Sequence, residues 1–253
     1  MNWRGFYTLF AKEVWRFLKV TTQTVFAPVL TVLLYLLVFA SVLSEHVQVY
    51  PGVMYASFLI PGLIMMSIIQ NAFANSSSSL FQSKMTGNLV FTLLAPLSDL
   101  EFFLAFVAAS VIRGIVVGLG VLLAAMWFAP LPMHSFWILL GFTVLSSATL
   151  GALGVIAGLW AEKWDHVAVF QNFVILPLSF LSGVFYSVNN LPPFWQGLSH
   201  FNPFFYMIDG FRYGFFGVAD SSLGLSFFVV SLSLAAVSAL CLWLLRIGYH
   251  LRN

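Results

Sequence analysis

Asp209 and Asp220, eleven residues apart in DGFRYGFFGVAD, and the neighbouring pair Ser199–His200 are the side chains best suited to covalent chemistry. Paired carboxylates can hold a divalent cation, and a serine beside a base can become a nucleophile. The acidic stretch superficially resembles the motif of phospholipid-headgroup transferases. That motif needs further aspartates at helical spacing to ligate metal, and here only two are present. Ser199 and His200 are adjacent, so their side chains diverge on a helix or a strand, and no G-x-S-x-G elbow accompanies them. The five histidines (His46, His134, His166, His200, His250) are dispersed, with no H-E-x-x-H. Cys241 stands alone, which excludes an intrachain disulfide and a cysteine-based metal site. No catalytic residue and no metal ligand is assigned. An enzyme acting on lipid, dependent on Asp209 or His200, is kept as the lesser alternative.

Phosphate-loop chemistry is missing too. There is no G-x-x-x-x-G-K-[ST], and no glycine precedes a lysine anywhere. Nucleotide-driven work would therefore require another polypeptide.

The elements that must position these groups are set by composition. The chain has 253 residues, 61% hydrophobic and 7% charged, against about 25% charged in soluble domains. It reads as an all-α integral membrane protein. A span needs about 20 apolar residues, and six segments qualify: about 23–43, 56–79, 102–128, 135–160, 167–187 and 224–245. The short connections leave no room for a soluble domain, so 1–253 is a single transmembrane domain. The first apolar run is longer than a signal-peptide core and lacks a small-residue cleavage site, so the first span should be retained. Arg4, Lys12, Arg16, Lys19, Lys84, Lys163, Arg246 and Arg252 fall on one side of this topology, which makes both termini cytoplasmic. The net charge of +2 says little about partners, because the placement of charge matters more than its sum; no nucleic-acid partner is expected.

Residues 1–20 form an amphipathic interfacial helix. Trp3, Phe6, Phe10, Val14 and Phe17 make its apolar stripe, while Arg4, Thr8, Lys12 and Arg16 make its polar one. Such a helix anchors the chain or holds a partner protein. In the second span Asn71, Asn75, Ser78, Ser79 and Gln82 share one helical face; in the fifth, Gln171, Asn172, Ser179 and Ser182 occupy a broader sector. Amides and hydroxyls at membrane depth either bond neighbouring helices or line a path. Asn71, Asn75, Gln171 and Asn172 are the candidate path-lining residues, and both readings stay open. Arg113 lies roughly 16 Å along the third span, near mid-bilayer. With no acid at its depth, backbone carbonyls or another span's polar face should satisfy it. Gly114-x-x-x-Gly118 and Gly154-x-x-x-Gly158 favour close helix packing and are weak support for dimerisation.

Two connections are unusual. The inner segment 80–101 has room for a short helix before Ala95-Pro96. The outer segment 188–223 contains LPPFWQGLSHFNPFFYM, too broken to span and too apolar for a free loop. Pro192, Pro193 and Pro203 should divide it into short helices, and Asp209 and Arg212 could pair along one helix face.

FLIPGLIMMSIIQNAFANSSSSLF (58–81), LLAPLSDLEFFLA (93–105), VIRGIVVG (111–118) and FLSGVFYSVNNLPPFWQGLSHFNPFFYMIDGFRYGFFG (180–217) resemble type-2 ABC exporter permeases, in particular the bacterial YadH-like and nodulation-factor-export-like group. The resemblance covers nearly the whole chain, and the last block is its specific part. It implies an outer re-entrant helical hairpin between spans five and six, acting as a gate built with Pro193, Trp195, Asn202, Pro203, Asp209 and Arg212. It also implies a permease homodimer in the bacterial inner membrane, surrounded by lipid and driven by two cytoplasmic ABC ATPases. ATP and Mg would sit on those ATPases, and this chain would bind no cofactor. The N-terminal helix and 80–101 would contact them, with Lys84, Asn88 and Phe91 at the coupling surface. Relatives often carry acids in the inner helix where this chain has Asn88, Val90 and Phe91, leaving a more apolar surface. The implied cargo is a lipid, glycan or amphipathic drug moved outward. A passive channel is the other alternative.

Overall fold

A computed structural model describes residues 2–43, 49–50 and 52–249. Arg252, His46, His250 and much of the connection 44–55 lie outside them. Everything regular among the described residues is helical.

The helix α1 (Trp3–Leu18) leads through a π turn (Thr22–Phe26) into α2 (Ala27–Leu43). The central element is α3 (Tyr55–Met85), 31 residues long and so about 46 Å. Around it lie α5 (Asp99–Ala125) and α6 (Phe136–Trp160), with α11 (Leu223–Arg246) against α6. Among the described residues five helices are long and apolar enough to cross a membrane: residues 22–39, comprising the π turn and the first part of α2, then α3, α5, α6 and α11. Their boundaries follow the sequence reading closely, except that α3 continues six residues beyond the expected end at 79.

The segment expected as a fifth span over 167–187 differs. It is α7 (Trp164–Phe170), a π turn (Gln171–Ile175) and α8 (Leu176–Phe180), ending seven residues early. The Ser182 hydroxyl donates to Ser179 O at 2.5 Å, and Gly183 adopts φ +76°, a left-handed conformation that stops the helix. Such a 17-residue helix falls short of the roughly 20 residues of an ordinary span.

Glycine lets α3 and α6 meet closely. A Cβ on Gly154 would stand 2.5 Å from Phe73 O, which is backbone and cannot yield cheaply. Gly114 similarly faces Ser147 of α6. These glycine pairs are consumed by packing inside one chain, so they do not argue for a second copy.

The prolines divide the broken segment as expected. Helix α9 (Pro193–His200) starts on Pro193, and α10 (Pro203–Phe216) starts on Pro203, where the ring's fixed φ suits a first helical position and no N–H is lost. Asn202 caps α10 by accepting from Phe204 N at 3.0 Å, and its amide donates to Leu178 O at 2.7 Å, tying the break to α8. Helix α10 is largely buried against α3, α6 and α11, whereas Pro193 and Trp195 of α9 are exposed.

Candidate transport cavity and its two ends

The polar face of α3 is shared between two tasks. Asn71 borders a half-open cavity of about 470 Å³ lined by the end of α1, the π turn before α2, α2 itself, α3 and Arg113 of α5. Asn75, four residues on, is fully buried. Its carbonyl and side-chain oxygens accept from Arg16 Nη2 at 2.8 and 2.9 Å, and its amide donates to Ser110 Oγ at 3.3 Å. Ser110 in turn meets Ser76 at 2.7 Å. Asn75 therefore bonds α1, α3 and α5 together, and it is not among the residues that border this cavity.

Arg16 is the surprise of the first helix. The sequence places it on a polar face toward headgroups; in the structure it reaches inward, held also by Glu13 Oε2 at 3.2 Å. The buried face of α1 is Leu9, Glu13 and Phe17, whereas Trp3, nominally on the apolar stripe, is exposed together with Tyr7 and Trp15. The helix is docked on α5 rather than simply lying in an interface. A buried acid three residues before Arg16, on the 9–13–17 stripe, was the available signal.

Arg113 donates to Asn71 Oδ1 at 3.0 Å, so another span's polar face does serve it. Gln171 and Asn172 are not brought to this cavity. They lie in the π turn before α8, half-exposed and exposed respectively. Gln23 and Thr24, unremarked in the sequence, do line it, and both belong to the other π turn. Such turns widen the helix locally and recur at functional sites.

One end of the bundle carries α4 (Asn88–Leu94), following the C-terminus of α3. Asn88 and Val90 are exposed, as are Phe91 at 74% and Leu94 at 77%. Lys84 is not available in the same way: its ammonium donates to Leu159 O at 3.0 Å and Ala161 O at 3.1 Å, closing the C-terminus of α6. Beside α4, Ser98 and Glu101 form a capping box at the start of α5. The other oxygen of Glu101 accepts from Asn2 N, and Asn2 Nδ2 donates to Pro96 O at 3.2 Å. The beginning of α1 is thus tied to the α4–α5 connection.

The opposite end is capped by α9, α10 and their flanks. Asp209 and Arg212 form no ion pair with each other. Asp209 accepts from Asp220 N at 2.8 Å and Ser221 N at 2.9 Å, fixing the chain as it turns into α11. Arg212 is 1% exposed; it donates to Gly183 O at 2.8 Å and lies 4.0 Å from the Phe58 ring centroid. Asp220 collects Tyr50 Oη at 2.9 Å, Ser187 Oγ at 2.7 Å and Val188 N at 2.8 Å. Burial raises the Tyr50 phenol above its ordinary value, so it stays a neutral donor. Both aspartates are spent on the chain itself, and among the described residues no cluster of His, Cys, Asp or Glu could hold a metal.

Residues 4–216, running from α1 through α10, match the model of the ABC-2 type transporter family. The chain belongs to that family. It is 39% identical over its whole length to the inner membrane transport permease YadH of Escherichia coli K12, covering 99% of that protein. It is also 28% identical to nodulation protein J of Sinorhizobium fredii over 64% of this chain and 62% of that one. A nodulation protein J of Rhizobium leguminosarum bv. trifolii is 27% identical over 71% and 69%. ABC-2 membership makes this chain a membrane transporter subunit, and the family works with an ATPase partner.

Proposed function

We propose that this chain is the inner-membrane permease of an ATP-driven exporter that moves a lipid, glycan or amphipathic drug-like substrate outward. It works as a homodimer on two cytoplasmic ABC ATPases, which carry the ATP and Mg. Both termini are cytoplasmic; α7, its π turn and α8 form a sixth, short crossing; and α9–α10 is the re-entrant outer cap. The observation that carries the reading is α4, a short helix whose apolar side chains protrude from a family transporter that has no phosphate loop. On the cytoplasmic side, an exposed Phe91 and Leu94 would be unfavourable alone and would suit a groove on a partner.

The route from that surface to the cavity is supported by α1. One end of α1 is tied beside α4 through Asn2, and the other is tied through Arg16 to Asn75 on α3. A push on α4 would be transmitted along this strut. The homodimer is supported by Asn172, an exposed amide midway along a helix in apolar surroundings, which a second copy would shield from lipid. A passive channel needs a polar face continuous through one subunit. Here Val32, Leu63 and Met66 end the polar lining, and the packed cap lies beyond them.

The test is to reconstitute the chain in vesicles with and without a candidate ABC ATPase from the same genome. Stimulated ATP turnover and stable co-purification are expected. Conductance without nucleotide, with no association with any ATPase, would replace this reading with the channel.

A further inference from the structure

We propose that the cavity beside Arg113 binds an amphiphile with a phosphate-class anionic headgroup. Arg113 is held only by the neutral Asn71, and among the described residues no carboxylate comes within ion-pair distance of it. Its Nε is buried without an acceptor, as is Gln70 Nε2, and both residues line the same cavity. Both atoms are out of solvent contact, so they add unmet polar demand behind the cavity wall, beside an uncompensated cation. A charge in such surroundings is costly until an anion or water reaches it. The planar guanidinium fork matches the geometry of phosphate oxygens.

The rest of the cavity describes the other half of the ligand. Along α3 its lining changes from Ser78, Asn71 and Gln70 to Met66 and Leu63, over about 22 Å of helix. The lining from α2 changes in the same direction, from Gln23 in the π turn to Val32 and Tyr35. A charged head would sit near Arg113 and an alkyl chain would run toward the capped end. A volume of about 470 Å³ holds a headgroup and the first part of a chain. The site is a claim about binding: it goes beyond the exporter reading and holds whether or not the ligand is moved.

The test uses the purified full chain in neutral detergent, without an ATPase, so its outcome is separate from that of the transport assay. Retention of dioleoyl phosphatidate is compared with that of dioleoylglycerol by native mass spectrometry. Phosphatidate should be favoured by about tenfold or more, the scale of a charge-assisted contact. Asn71→Asp places a carboxylate on Arg113 at nearly unchanged shape and should abolish the preference, with the thermal unfolding midpoint unchanged. Arg113→Gln should do likewise, and Arg113→Lys should keep part of it. Displacement by millimolar inorganic phosphate would identify the free anion as the ligand, and resistance to it would identify the lipid; both support the site. Equal retention of the two lipids would overturn it. So would a preference that survives Asn71→Asp, because the phosphatidate would then be held by other basic groups of the chain.

Discussion

Arg212 should be worth more to the cap than its single hydrogen bond, and the reason is the Phe58 ring. The guanidinium is almost fully buried, donates to Gly183 O and sits 4.0 Å from the ring centroid. A hydrogen bond from a charged donor contributes about 1.5–3 kcal/mol. A desolvated cation–π contact adds about 2 kcal/mol. Burying a guanidinium whose Nε has no partner offsets part of both. Arg212→Met keeps much of the bulk while removing charge and donor, so the net loss should be about 2–3 kcal/mol. Phe58→Leu removes the ring and leaves the hydrogen bond. The double variant isolates the ring contact as a coupling energy of about 1–2 kcal/mol. The assay is unfolding in mixed micelles of neutral and denaturing detergent, followed by tryptophan fluorescence. A coupling below about 0.3 kcal/mol, the scatter of independent sites, would refute the argument and leave the two groups merely adjacent.

Two other outcomes follow from the opposite faces of the molecule. Phe91→Asp puts a charge on a protruding residue of α4 and should weaken ATPase co-purification severalfold, with the unfolding midpoint retained; unchanged affinity would move the coupling contact elsewhere. Tyr50 is buried against Asp220, and desolvation raises its phenol above the ordinary 10.0. A raised folded-state value means its contribution to stability is complete below pH 10 and is lost as pH rises further. The chain should therefore lose stability above pH 10 more steeply than its Tyr50→Phe variant, and parallel alkaline profiles would contradict this.

The elements legible in the sequence were those fixed by hydropathy and proline. Helices α5, α6 and α11 are continuous apolar runs with clear ends, α3 is apolar through its first half, and Pro193 and Pro203 mark helix starts because a proline ring is best tolerated in a helix's first turn. What escaped was decided by groups that hydropathy does not register. Residues 167–187 are apolar enough on average for a span, yet the helix stops at Phe180, where Ser182 turns onto Ser179 O and Gly183 takes a positive φ. Pairing Asp209 with Arg212 from their spacing also failed. Each found a better partner from distant chain, two backbone amides and a carbonyl, and spacing along one helix cannot reveal those.

Arg16 shows why the candidate site was harder to read than the fold. A cationic residue on an amphipathic helix has two stable placements, at headgroups or against buried acceptors, and composition alone does not choose between them. Here the choice is made by Asn75, which supplies two acceptors within 2.9 Å, and by Glu13, which accompanies Arg16 inside. The same asparagine spacing that suggested a path lining thus divides by depth of burial. Asn75 meets an arginine whose charge is answered by an acid, and it becomes structure. Asn71, one turn away, meets an arginine with no acid to answer it, and its side of the helix opens onto the cavity. What separates the buried strut from the cavity wall on α3 is whether the arginine has a carboxylate beside it.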